Sequence, residues 1–237
     1  MSPVVPAGTV VDTTDDPRWQ PLVVTATLTE PVVGLDSQPL CLDGPLAWCA
    51  AQLALADEAG LPPLRHDWAP DLALPLATWT AAPSRPDTDS RLRAADGERV
   101  WGWACSAASW TALGHTTVEI RRRPPVGEMA RFTADGKHHS GLGPYKARDT
   151  PMAATWVDTV VWHALGDPDA VAGLLAHLGH LGRATRHGHG RIQTITVEPG
   201  RDRDAWRSRP LPDPTGPAGS IRAPYHHHSR RMPCRTP

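Results

Sequence analysis

The residues whose types and spacing most clearly indicate a binding site form a glycine-rich loop at residues 179–191, with the sequence GHLGRATRHGHGR. It contains no acidic residue, and its candidate functional residues are Gly179, Gly182, Gly188, Gly190, Arg183, Arg186, Arg191, His180, His187 and His189. Closely spaced glycines expose backbone amides to phosphates, and flanking arginines can fork onto phosphate oxygens. The loop therefore predicts an anionic partner. The alternative is a solvated loop whose glycines only permit a turn.

The order of elements separates this loop from the common nucleotide-binding motifs. No Gly-Lys-Ser/Thr follows it, so it is not a phosphate-binding loop of the NTPase type. It also follows a helical pattern and enters a strand pattern, the reverse of the dinucleotide fingerprint.

A second basic segment, residues 137–148 (KHHSGLGPYKAR), carries cations around two glycines. Its candidate nucleic-acid contacts are Lys137, His138, Tyr145, Lys146 and Arg148. The tyrosine could stack on a base while the cations hold the backbone. The alternative is an ordinary mobile surface loop.

The twelve histidines admit two chemistries. A histidine could contact phosphate or bases, or it could act as a general base that removes a 2′-hydroxyl proton. The candidates for the general base are His115, His138, His139 and His189. No carboxylate or cysteine stands at ligand spacing, so no metal and no cofactor is predicted. The four cysteines form no C-x-x-C pair, which favours buried thiols over a zinc ribbon or a disulfide framework.

Charge is distributed unevenly along the chain. Residues 1–118 hold 6 Lys+Arg against 14 Asp+Glu, and residues 119–237 hold 18 against 11, so the halves carry about −8 and +7. Such asymmetry indicates an anionic partner such as nucleic acid. The chain shows no signal-peptide pattern and no apolar run near the ~18 residues of a membrane helix. We therefore expect a cytoplasmic protein without a membrane partner.

Local patterns place these residues on alternating strands and helices. Strands are predicted at residues 22–30, 72–80, 100–110, 116–122, 154–165 and 192–198. Asp43 is predicted to cap a helix over residues 46–55, and Asp167 to cap one that starts at Pro168. Five tryptophans lie in the predicted strands, and most of them are expected in the core or an interface: Trp101, Trp103, Trp110, Trp156 and Trp162. Two β-α-β units predict a ferredoxin-like (RRM-like) α+β fold.

The predicted domain organisation has three parts. Residues 1–18 form a flexible leader, and residues 19–198 form the ferredoxin-like domain, with insertions at about 81–99 and 123–150. Residues 199–237 form an extended, Pro/Arg-rich C-terminal tail.

The segment 182–192, GRATRHGHGRI, resembles the glycine-rich signature of the RAMP superfamily of CRISPR-associated proteins. Residues 31–33 and 39–48 (PVV and PLCLDGPLAW) and residues 143–147 (GPYKA) further resemble the small RAMP subunit of type IV CRISPR systems. The tail motif APY at residues 223–225 extends the likeness. His189 stands where an aromatic residue is expected, a departure from the family pattern.

The resemblance implies a non-catalytic RNA-binding subunit of a ribonucleoprotein effector complex used in antiviral defence. It would hold the 5′ handle of the crRNA guide through Arg183, Arg186, His187, Gly188, His189, Gly190 and Arg191, with residues 137–148 as a second contact. Its partners would be the guide RNA and the backbone and large subunits of the complex, with target DNA as a further candidate. The alternative is a metal-independent RAMP endoribonuclease that processes repeat RNA with a histidine base; the sequence offers no general base beside an orienting partner.

Overall fold

The computed structural model describes residues 5, 10–37, 39–56, 71–81, 100–122, 126–132, 134–137, 141, 146–227 and 230–235. Its helices are α1 (Asp43–Ala56), α2 (Val126–Met129) and α3 (Pro168–Leu175). Its strands are β1 (Gln20–Leu28), β2 (Val32–Val33), β3 (Thr78–Ala81), β4 (Val100–Trp103), β5 (Ser109–Arg122), β6 (Arg148–Gly166), β7 (Ile192–Pro199), β8 (Leu211–Pro212), β9 (Ala218–Ser220) and β10 (Arg231–Arg235). The protein is thus a mixed α/β structure with mostly antiparallel sheets.

The main sheet is organised around β6, the longest strand. β1 and β2 pair with one edge of β6 and β5 pairs with the other, because Thr155 faces both Val32 and His115 across the sheet. β7 pairs with the free edge of β1, and every pairing in this sheet is antiparallel. The strand order is therefore β5–β6–β1–β7, with β2 continuing the line of β1.

The predicted strands at residues 22–30 and 154–165 are confirmed as β1 and as part of β6. Side chains alternate across a strand, and in β1 Leu22, Val24, Ala26 and Leu28 are buried while the residues between them are half-buried. β6 follows the same rule over its second half, where Val160, Trp162 and Ala164 are buried. These residues form one wall of the main core.

Helices α1 and α3 contact each other and cover this core face. The predicted cap of α3 is confirmed, since Asp167 Oδ1 accepts a hydrogen bond from the Ala170 amide at 3.0 Å and Pro168 occupies the first turn. Val171 and Leu175 of α3 are buried in the same cluster as Leu46 of α1. The helices thus close the core from one side.

The long pair β5–β6 projects beyond the sheet as a ribbon. The pairing runs from Ser109↔Val161 to Arg122↔Arg148, and its outer residues are largely exposed. The sequence predicts separate strands at 100–110 and 116–122; the structure instead ends β4 at Trp103 and begins β5 at Ser109. Of the predicted insertion at about 81–99, Ala81 belongs to β3, and the residues after it lie outside the described residues. Only part of the insertion at about 123–150 is described; it includes α2, and β6 begins at Arg148.

The structure corrects the expectation of an extended C-terminal tail. β8, β9 and β10 form a three-stranded antiparallel sheet in the order β8–β10–β9. Trp206, Ile221 and Cys234 are buried in a second cluster with Trp79 of β3, and the rings of Trp79 and Trp206 stack at 6.3 Å. The sequence does not predict this sheet because its apolar residues are isolated among prolines and glycines and form no periodic pattern. Each of them nevertheless buries apolar surface in the fold.

Asp43 does not act as the predicted N-cap but joins α1 to the C-terminal segment. It is the first residue of α1, and its carboxylate accepts hydrogen bonds from the Ala223 amide and the Tyr225 hydroxyl. Arg209 Nη2 lies 3.6 Å from Asp43 Oδ2, and both side chains are fully buried. Arg209 also donates to the carbonyl oxygens of Trp103, Cys105 and Ile221. We call Asp43, Arg209 and Tyr225 the buried clasp.

The clasp combines one positive and one negative charge with neutral neighbours. Burial, reinforced by the Asp43 carboxylate, holds the pKa of Tyr225 well above its usual range. Burial also raises the pKa of the adjacent Cys41 thiol to about 11. Both groups therefore stay protonated near neutral pH, so the hydroxyl remains a donor to Asp43 and no second negative charge opposes it.

Asp43→Asn is expected to lower the free energy of unfolding by about 3–5 kcal/mol, because it leaves the buried Arg209 guanidinium without a counter-charge. Asp204→Asn is the matched control: it breaks the exposed pair with Arg207, joined at 2.7 Å, and should cost less than about 1 kcal/mol. Urea denaturation of the purified variants measures both losses. Similar losses at the two positions would contradict the role of the clasp.

Candidate nucleic-acid interface

The glycine-rich loop is closed at its base by backbone hydrogen bonds. It leaves α3 and enters β7, as the sequence predicts for the strand at 192–198. The Leu181 amide donates to the Gly190 carbonyl at 2.8 Å, and the Ile192 amide donates to the Gly179 carbonyl at 3.0 Å. The two arms of the loop are therefore held side by side.

Further backbone bonds fix the loop to β2 and to the chain that links β1 and β2. The Gly190 amide donates to Pro31 O and the Arg183 amide to Val33 O, both at 2.9 Å. The Thr29 amide donates to Arg191 O at 3.0 Å. These bonds fix the loop against the sheet, so its exposed side chains start from an ordered backbone.

Two glycines are required for this close approach. Gly190 has a φ of +65°, and a Cβ built there would lie 2.0 Å from the Leu181 carbonyl oxygen. Gly182 has a φ of +81°, and its Cβ would lie 2.7 Å from the Val33 carbonyl oxygen. Gly190 is buried with both backbone polar groups engaged. Gly190 therefore stabilises the base of the loop.

A strained residue stands at the tip of the loop. Ala184 adopts the left-handed conformation with a φ of +58° and precedes a 3-10 turn over Thr185–His187. A non-glycine residue in this region costs roughly 1–2 kcal/mol, and such residues concentrate at functional sites. The strain sets the direction in which the turn leaves the sheet.

The three arginines of the loop form an exposed cationic surface. Within the described residues no carboxylate forms an ion pair with Arg183, Arg186 or Arg191, and all three are exposed. Arg183 runs beside Gly34, where a Cβ would lie 3.2 Å from its Cδ, and Arg186 Nε donates to His187 Nε2 at 3.2 Å. Exposed guanidinium groups that form no ion pair with a carboxylate are suited to binding phosphate oxygens.

The loop histidines gather around a shallow pocket of about 520 Å³. It is lined by Glu30, His180, His187, Gly188, His189 and Arg191. No hydrogen bond within the described part of the chain orients the imidazole of His180 or His189. The described residues also contain no group of three or more His, Cys, Asp or Glu arranged to hold a metal. All four cysteines are buried and free, as the sequence predicts.

The second basic segment is only partly described. Lys137, Lys146 and Arg148 are exposed, while His138 and Tyr145 lie outside the described residues. Arg148 begins β6 at the outer end of the ribbon, five residues before Ala153, whose carbonyl accepts from the Gly34 amide beside the loop. At ~3.3 Å per residue, that separation is about 17 Å along the strand. The two basic segments are therefore not brought together within the described residues.

The structure also separates two of the candidate bases. His115 lies on β5, and β6 and β2 stand between it and the loop, a distance of roughly 14 Å at ~4.8 Å per strand. His189 is half-buried within the loop itself. His138 and His139 lie outside the described residues.

Sequence reasoning missed a groove beside the loop, which has a volume of about 340 Å³. Its walls come from residues 34–35 and 39–41, from the start of α1, from residues 178–183 with Thr185, and from Tyr225. Trp48 lines it and is 52% exposed. A tryptophan outside the apolar stripe of a predicted helix was the available signal.

The fold and the loop define an α/β protein that presents an ordered, acid-free basic loop beside an aromatic groove. Residues 20–237 match the model of a family described as CRISPR type IV associated protein Csf3, and the chain belongs to this family. Among curated proteins, none matches the chain. No helix in the described residues has the length and apolar character needed to cross a membrane.

Gly190→Ala is expected to lower the free energy of unfolding by more than about 2 kcal/mol, because it adds a Cβ in a left-handed conformation against the Leu181 carbonyl. Gly188→Ala is the control: its φ is also positive, at +90°, but its Cβ would meet no atom within 4 Å, so only about 1 kcal/mol is expected. Chemical denaturation measures the difference. If both variants lose the same free energy of unfolding, the close contact between Gly190 and Leu181 does not stabilise the loop.

Proposed function

We propose that this chain is a non-catalytic crRNA-binding subunit of a type IV CRISPR ribonucleoprotein and holds the 5′ handle of the guide with its glycine-rich loop. The observation that carries the proposal is the ordered backbone of residues 179–191, which presents Arg183, Arg186 and Arg191 without a described acidic partner. Membership of a type IV CRISPR-associated family supplies the biological setting.

A ferredoxin-like RAMP fold is part of this proposal. The elements β1–α1–β5–β6–α3–β7 follow the β-α-β-β-α-β sequence, and their strand order β5–β6–β1–β7 is antiparallel throughout. In this reading the glycine-rich loop joins the second helix to the last strand, and residues between α1 and β5 are an insertion. The order of elements and the position of the loop agree with the signature that the sequence resembles.

The ribbon β5–β6 would supply the second contact with RNA. Arg122 and Arg148 face each other in the register at its outer end, and Lys146 is exposed just before β6. Cations at this distance from the loop suit an extended single strand that touches both places. The backbone and large subunits of the effector complex would be the protein partners, and target DNA a further one.

Arg183→Ala combined with Arg186→Ala is expected to weaken binding of a single-stranded RNA with the sequence of the guide 5′ handle. Loss of two phosphate contacts should also reduce the slope of log affinity against log salt by about 1.4, since each contact contributes about 0.7 for a single strand. Arg18→Ala combined with Arg207→Ala removes the same charge from exposed arginines that already pair with Asp16 and Asp204. Fluorescence anisotropy at several salt concentrations measures both quantities; equal behaviour of the two double variants would contradict the role given to the loop.

The second candidate, a metal-independent endoribonuclease, is favoured only by the pocket that gathers His180, His187 and His189. A general base is normally oriented by a hydrogen-bonding partner, and the described residues supply none to His180 or His189. We expect repeat RNA incubated with the purified protein and chelator to remain intact on a denaturing gel. A product ending in 2′,3′-cyclic phosphate, lost in His189→Ala, would favour the enzyme instead.

A further inference from the structure

The groove beside the glycine-rich loop is large enough for a small ligand. Its volume of about 340 Å³ falls at the lower end of the ~300–1,000 Å³ range of small-ligand sites. Pro39, Leu40 and Pro45 give it apolar walls, and Arg183 of the loop lines the same space. It is therefore continuous with the basic surface described above.

Trp48 is the unusual member of this groove. Large hydrophobic side chains are exposed at few places in the described residues, namely Val11, Trp48, Leu113 and Trp156. Of these, Trp48 alone is among the lining residues of the groove. An indole that remains half in solvent within a concave site offers its ring for stacking, and every nucleobase has a face that can stack on it.

The charges of the groove favour an anion. Arg183 and His180 line it, and the described residues that line it include no Asp or Glu. Asp43, which precedes the lining residues Gly44 and Pro45, is fully buried and bound by Arg209 and Tyr225. A ligand with one flat ring and one negative charge matches both the aromatic and the basic wall.

We propose that the groove takes one unpaired nucleotide of the bound RNA, with the base stacked on Trp48 and its phosphate held by Arg183. This inference rests on the proposed function and adds a base contact to it. Trp48 would then be a determinant of affinity that is independent of salt, since stacking releases no counterions.

Trp48→Ala is expected to weaken binding of the handle RNA by roughly 5- to 150-fold, the range of one lost base–aromatic stack. The salt slope should stay at the wild-type value, and Trp48→Phe should restore most of the affinity. Val11→Ala is the control for loss of an exposed hydrophobic side chain, since Val11 is 64% exposed and lies before β1, outside both the groove lining and the ribbon. Thermal melting of each variant checks that the fold is retained.

Abasic nucleotides introduced one at a time along the RNA locate the stacked base. At one position the abasic RNA should bind the wild type as weakly as intact RNA binds Trp48→Ala, and the two changes together should add little more. If the wild type binds RNA with a steep salt slope but Trp48→Ala binds equally well, the stacking inference is overturned and the proposed function stands. If the wild type does not bind the RNA at all, the proposed function fails, and this inference fails with it.

Discussion

The structure depends on a pair of opposite charges, Asp43 and Arg209, both withdrawn completely from solvent. Burial of either charge alone would cost several kcal/mol, so each is stable only because the other and a full set of hydrogen bonds accompany it. Arg209 donates to backbone carbonyls after β4 and before β10, while Asp43 accepts from Ala223 and Tyr225. The pair thereby ties the start of α1, the end of β4 and the C-terminal segment into one unit.

This tie extends to the candidate site. Tyr225 donates to Asp43 and also lines the groove, and Trp48 follows Asp43 by little more than one turn of α1. The backbone of Arg183, which also lines the groove, is fixed by its hydrogen bond to Val33. The C-terminal segment therefore shapes the surface beside the glycine-rich loop. The family match includes this C-terminal segment, since it continues to residue 237.

Features with a local cause were predictable from the sequence. Alternating burial in β1, the Asp167 cap of α3 and the strand after the glycine-rich loop each follow from neighbouring residues, and the structure confirms them. The clasp could not be predicted in this way, because Asp43 and Tyr225 are 182 positions apart and Asp43 fits the pattern of a helix cap equally well. The groove escaped for the same reason, since its walls come from segments that only the tertiary fold brings together.

The construction of the loop suits the holding of a ligand better than the transfer of a proton. The backbone that carries the loop arginines is fixed by hydrogen bonds to Pro31 and Val33 and by the left-handed conformation of Ala184. Little of this backbone is therefore left to become ordered when a ligand binds. Acid–base catalysis needs a different kind of order, namely an imidazole held in one tautomer by a partner, and the described residues give His180 and His189 no such partner. In the proposed function the rigid backbone positions the arginines for the phosphates, and the imidazoles of the loop add contacts that need no fixed tautomer.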